Sequence, residues 1–200
     1  MRFVVLDFET LNPSRKSGFS FCAMQFENGI RRSSVTRRFK PADSWISLWA
    51  MKSFEVTQQE VESFMSFRDS WDDIGESIGA DTFVVCHNAE FDMSVLRHCL
   101  SKSNCDVEDF FYVCSLALAK LAWPNFRRYG LSELSELLGI DLIHHDPESD
   151  CTATGKLFMK ELSIIGLEHS LTNGALLDSL SSLRGNLVKR FSMRATTNEF

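Results

Sequence analysis

The sequence predicts an α/β protein built on a mixed sheet flanked by helices. Three observations carry this expectation. Short continuous apolar runs at residues 3–6, 82–86 and 110–114 have strand length and no alternation, as expected of strands buried on both faces. An Asn28-Gly29 step joins two further β-like stretches near the N-terminus. After residue 57, segments with helix start and stop signals alternate with the apolar runs.

In chain order, residues 3–6 form the first strand and the polar stretch 12–18 a loop. Residues 19–26 and 30–39 pair through the Asn-Gly turn, and Pro41 closes the second of them, which makes an antiparallel meander. Residues 45–54 fit neither template. Thr57-Gln58-Gln59-Glu60 is a capping-box pattern and opens a helix. Another helix follows over 69–78, stopped by Gly79, and the second buried strand over 82–86. Asn88 is placed to cap a helix to about residue 101. Residues 110–114 form the third buried strand, with helices at 115–121, 132–138 and 150–162. Gly139 stops the second of these. Residues 171–187 read as helix, and 192–200 as a polar end.

At 200 residues, with 44% hydrophobic and 24% charged residues, the chain has the composition of a globular protein rather than a disordered or fibrous one. The expected division is one domain over 1–165 and a part-helical extension over 166–200 that packs on it or binds a partner. The net charge of −6 excludes a generally basic nucleic-acid coat but allows a local basic groove. The six cysteines show no Cys-x-x-Cys spacing, which points to reduced thiols in a cytoplasmic protein. No apolar run approaches the roughly 18 residues of a membrane span, so no membrane partner is expected.

The chemistry lies in the acids. Asp7 and Glu9 flank Phe8, so a strand of period two places both carboxylates on one face. Asp92 falls in the first turn of the helix after the second buried strand. Asp146 and Pro147 form a cap and first helical residue, which puts Asp150 in a first turn with His145 in the loop before it. Each has an ordinary alternative: a strand end in solvent, a carboxylate on a helix dipole, a solvated loop histidine. Together, at the carboxyl ends of neighbouring strands, four acids call for about two divalent cations, the machinery of phosphodiester hydrolysis.

The pattern Asp7-x-Glu9, then His87-Asn88-Ala89-Glu90-Phe91-Asp92, then His145 and Asp150 resembles the three motifs of the DEDDh 3′→5′ exonucleases. The likeness runs from about residue 3 to 162 and includes Leu131-Ser132-Glu133-Leu134 before Leu138-Gly139-Ile140. It implies a ribonuclease H-like fold with a five-stranded mixed sheet. It further implies two Mg²⁺ or Mn²⁺ ions on Asp7, Glu9, Asp92 and Asp150, and His145 as general base. The implied activity is removal of nucleoside 5′-monophosphates from single-stranded 3′ ends, DNA ahead of RNA. Thr10, Leu11, Asn88 and Phe91 are the expected substrate contacts, with a core role the alternative for Phe91. Arg15, Lys16, Arg127 and Arg128 are candidate phosphate contacts, or else solvated surface. Phe54-Glu55-Val56-Thr57 stands where many members carry His-Gly-Ile-Thr, so a substrate contact is altered there. Two alternatives remain: a proofreading subunit tethered to a polymerase by its tail, and a non-catalytic nucleic-acid-binding module of the same fold. A homodimer partner also stays open.

Overall fold

The computed structural model describes residues 1–43, 45–75, 78, 82–143, 146–170, 172–183 and 187–193. Strand β1 (Arg2–Thr10) pairs antiparallel with β2 (Gly18–Glu27), and β2 with β3 (Ile30–Arg38). Asn28 and Gly29 turn this hairpin with φ of 52° and 76°, the left-handed pair that a two-residue loop demands. On its other edge β1 runs parallel to β4 (Phe83–Cys86), and β4 parallel to β5 (Phe110–Cys114).

A sixth strand, β6 (Val188–Phe191), pairs antiparallel with β5, giving the order β3-β2-β1-β4-β5-β6. This corrects the expected count of five. The segment Val-Lys-Arg-Phe is short and carries two cations. That suits an edge strand and hides it from a search for apolar runs.

Helices α1 (Leu48–Ser53), α2 (Gln58–Ser63) and α3 (Phe67–Gly75) follow the meander. Residues 45–54, ambiguous in sequence, thus hold the short helix α1, capped by the Ser47 hydroxyl on the Ala50 amide at 3.1 Å. Both halves of the Thr57–Glu60 capping box form. Helix α4 (Ala89–Ser103) follows β4, and α5 (Ser115–Ala122) follows β5 directly. Then come α6 (Leu131–Leu138), the long α7 (Pro147–Ile164) and α8 (Asn173–Ser182).

The sheet is covered on both faces. Val4, Leu6, Phe8 and Phe21 pack with Trp71, Met93 and Leu96 of α3 and α4. Phe3, Val5, Cys22 and Met24 pack on the opposite side with Cys151, Phe158 and Leu162 of α7 and with Leu176 and Leu180 of α8. Hence residues 3–6 are apolar without a break: each is at most 1% exposed. Gly155 lets α7 lie close to the sheet, since a Cβ there would come within 2.3 Å of the Phe26 ring. Among the described residues, no helix is long and apolar enough to cross a membrane.

Candidate active site

The β1–β4 pairing stops at Val5–Val85, while β1 continues to Thr10. Its last residues therefore project past β4 at the carboxyl end of the parallel strands, where α/β proteins place their ligands. Asp7 and Glu9 point to the α7 side of the sheet, the side of Val5, by the two-residue period. A register shift between Glu9 and Thr10 interrupts the regular β1–β2 pairing immediately beyond, where Thr10 pairs with Gly18.

Asp150 arrives from the first turn of α7. The Asp146 carboxylate accepts from the Ser149 amide at 2.7 Å, Pro147 occupies the first turn, and the Ser149 hydroxyl accepts from the Ile143 amide at 2.8 Å. These contacts fix the helix start. The result is a group of three half-buried acids, Asp7, Glu9 and Asp150, each offering an oxygen within 4.8 Å of the others.

Asp92 stands behind this group, 1% exposed. Its Oδ1 accepts from the Phe8 amide at 3.0 Å, so it satisfies a backbone donor that lies beyond the last β1–β4 pair. It is tied to the strand that carries Asp7 and Glu9, and does not belong to the three-oxygen group itself.

Like charges held this close resist ionising. Burial first, then Asp92, Glu9 and Asp150, raise the Asp7 carboxyl well above its ordinary value. Burial and Asp150 push Glu9 up to about 7. Burial pushes Asp92 up to about 8, against the lowering effect of the Phe8 amide. An all-oxygen set of this kind fits a hard divalent cation, which removes the repulsion that raises these groups.

The other expected contacts fall as follows. Thr10 is half-buried at the bulge, while Leu11 is fully buried with Phe19, Ala50 and Phe54, its amide donating to the Ser17 carbonyl at 3.0 Å and its carbonyl accepting from the Ser47 amide at 2.9 Å. Phe91 is half-buried beside the site, and the Arg15 guanidinium lies over its ring at 4.1 Å. Asn88 occupies the N-cap position of α4 with φ 71°, exposed and without a side-chain capping bond, so the expected cap does not form. Arg127 and Arg128 are exposed, and Arg128 meets Glu133 at 3.5 Å. His145 lies outside the described residues.

Two features escaped the sequence reading. Arg38 lines a cleft of about 310 Å³ beside Glu9 with Ser20, Phe54, Glu55 and Pro147, and donates to the Phe54 carbonyl at 3.3 Å. The register places Glu9 opposite Ser20 and Ser20 opposite Arg38, a row across three strands. The second feature is a buried chain under the site. His87 Nε2 meets the Tyr129 carbonyl at 2.8 Å and its Nδ1 lies 3.4 Å from Ser115 Oγ, which donates to Glu161 at 2.9 Å. Burial holds His87 down at about 4, so its imidazole is neutral at pH 7, and burial also raises Glu161 well above its ordinary value. His87 Nε2–H then donates to the carbonyl and pins the 123–130 loop to the start of α4.

Residues 4–158 match the family model described as exonuclease, of the RNase T type. The chain belongs to the DnaQ-like 3′→5′ exonuclease family. Among sequence relatives, it is 29% identical over 167 residues to "3′-5′ exonuclease DinG" of Bacillus subtilis (strain 168), covering 80% of this chain and 18% of that protein. It is 30% identical over 163 residues to "DNA polymerase III PolC-type" of Thermotoga maritima, covering 79% of this chain and 12% of that protein. The chain thus spans less than a fifth of the length of these relatives. The fold is similar to that of exonuclease X in complex with 5′ overhanging duplex DNA, with a TM-score of 0.67 at 19% identity over 87% of this chain and 99% of that one. It is also similar to product-bound exonuclease I, with a TM-score of 0.65 at 19% identity over 90% of this chain and 45% of that one.

Proposed function

We propose that this chain hydrolyses phosphodiester bonds at the 3′ end of single-stranded nucleic acid, DNA ahead of RNA, releasing nucleoside 5′-monophosphates with the help of divalent cations. The observation that carries this reading is the convergence of Asp7, Glu9 and Asp150 within 4.8 Å at the carboxyl end of β1, in a chain of the exonuclease family. Asp7, Glu9 and Asp150 would hold two Mg²⁺ or Mn²⁺ ions, with Asp92 acting from behind. Bound there, such ions supply activation of a water and charge stabilisation at the leaving 3′ oxygen.

The remaining roles belong to the chain. Asp7 is the acid next to all the others, and every charge near it opposes its ionisation, so it depends most on a cation. His145 accepts the proton of the attacking water; an imidazole with an ordinary value near 6.5 suits that task at neutral pH. Phe91 and Arg15 form one wall for the terminal nucleotide, and Thr10, seated on the buried Leu11, another.

The test is product identity. The purified protein is incubated with 3′-hydroxyl DNA and RNA strands in Mg²⁺ or Mn²⁺, and the products are separated by chromatography. The expected products are nucleoside 5′-monophosphates, appearing faster from DNA. Nucleoside 3′-monophosphates or internal fragments would contradict the reading. A second reading, action beside a polymerase, is favoured by the similarity to PolC-type polymerases, and co-purification with a polymerase subunit would test it.

A further inference from the structure

Helix α4 leads away from the acidic centre. Phe91, Val95, His98 and Lys102 recur every three to four residues and share one of its faces. Phe91 carries Arg15 on its ring. Val95 seats the next part of the chain: a Cβ on Gly18 would come within 2.5 Å of Val95 Cγ1. The absent side chain lets the turn Arg15–Ser17 ride directly on α4 and set Arg15 and Lys16 along it.

At its far end the same face opens into a cleft of about 580 Å³ between α4 and the α2–α3 segment. His98 and Lys102 line it on one side, and Lys40, Phe64 and Ser66 on the other, with Glu62 the carboxylate among the lining residues. Lys16, Lys40 and Lys102 are exposed, and none is ion-paired among the described residues. His98 Nε2 is buried and has no hydrogen-bond partner among them. Burial, then the charges of Lys102 and Lys16, hold the His98 imidazole below its ordinary value, which places both lysines around it. On a chain of net charge −6, this run of cations makes a local field of the opposite sign.

We propose that this face is the track of the strand upstream of its 3′ end: Arg15 and Lys16, then Lys102 and Lys40, hold successive phosphates, and the cleft takes a base against Phe64. The inference rests on the reading of the acidic centre as the seat of the 3′ end. From Phe91 to Lys102 the helix rises about 16 Å at roughly 1.5 Å per residue. That matches roughly five nucleotides at about 3.4 Å each in a stacked strand.

The test measures binding in EDTA, so that nothing is cut. Fluorescent single strands, in a length series from a dinucleotide to about ten nucleotides, are titrated with the wild type and with Lys40→Gln/Lys102→Gln. Wild-type affinity should climb with length to about five nucleotides, and the climb should flatten in the variant. Each lost phosphate contact removes about 0.7 from the log–log salt slope, so the variant's slope should be shallower by about 1.4. Its affinity for long strands should drop about 25-fold at 0.1 M salt, a loss that fades towards 1 M. Equal affinity, slope and length profile in the two proteins would overturn the track, even if the wild type degrades 3′ ends with Mg²⁺. A wild type that cuts no end with Mg²⁺, yet binds with the lysine-dependent slope, would refute the nuclease reading and support the track.

Discussion

Replacing Glu9 by Gln should stabilise the metal-free protein at neutral pH while destroying its activity. The folded structure holds the Glu9 carboxyl near 7 against its ordinary 4.5, because it is buried beside Asp150. A carboxyl raised in the folded state keeps its proton more readily there than in the unfolded chain. Its contribution to stability is therefore full below 4.5 and is lost as pH rises through about 7. At about 1.4 kcal/mol per pH unit, that interval amounts to about 3 kcal/mol. His87, held down at about 4, works in the opposite direction over the same range, since its neutral buried form gains stability as pH rises to 6.5. Asp7 and Asp92 are raised as well, in part by Glu9, so the wild-type curve sums several groups and the comparison with Glu9→Gln reads the share that depends on the Glu9 charge. The assay is urea unfolding in EDTA at pH 4 and pH 8. The two proteins should agree at pH 4. At pH 8 the variant should lead by about 3 kcal/mol, or about 1.5 M in midpoint for a slope of about 2 kcal/mol per M. Excess Mg²⁺ should then raise the wild type by about 3 kcal/mol at a hundred times its Kd, and the variant by less. Parallel pH curves for the two proteins would refute the claim that Glu9 is held charge-frustrated in the folded state.

Other outcomes follow from single contacts. Gly155→Ala drives a methyl into the Phe26 ring and should cost about 1–3 kcal/mol, lowering the melting temperature by several degrees; an unchanged melt would contradict the close approach of α7 to β2. Glu55 holds a left-handed backbone with φ 50°, so Glu55→Gly should raise stability by up to about 1 kcal/mol, and a lowered melting temperature would tell against that strain. His145→Ala should lose about 10²–10⁴-fold in rate with strand affinity retained, and undiminished turnover would remove His145 from the reaction.

Much of the scaffold is legible because it follows from short-range patterns. Residues 3–6 are apolar throughout and become a strand covered by α4 on one side and α7 on the other. Asp7 and Glu9 share a face through a period of two, and Asp146 and Pro147 announce the helix that delivers Asp150. What stays hidden depends on register and on contacts between distant segments. Counting back from the Asn28-Gly29 turn puts Arg37 opposite Ser20. A bulge between Gln25 and Phe26 shifts the partner to Arg38, and so brings Arg38 to the Glu9 cleft. The His87–Ser115–Glu161 chain joins the β4–α4 turn, α5 and α7, and no local spacing connects these residues. The edge strand Val188–Phe191 is too short and too charged to stand out before its partner β5 is known.

The proposed role of the acids gathered at the end of β1 is cleavage from the 3′ end. It is tested most directly by following a 5′-labelled single strand on a denaturing gel, with Mg²⁺, with EDTA, and with Asp7→Ala in Mg²⁺. The ladder should shorten from the 3′ end in Mg²⁺, and the strand should stay intact both with EDTA and with Asp7→Ala. A ladder that persists in Asp7→Ala, or in EDTA, would contradict it.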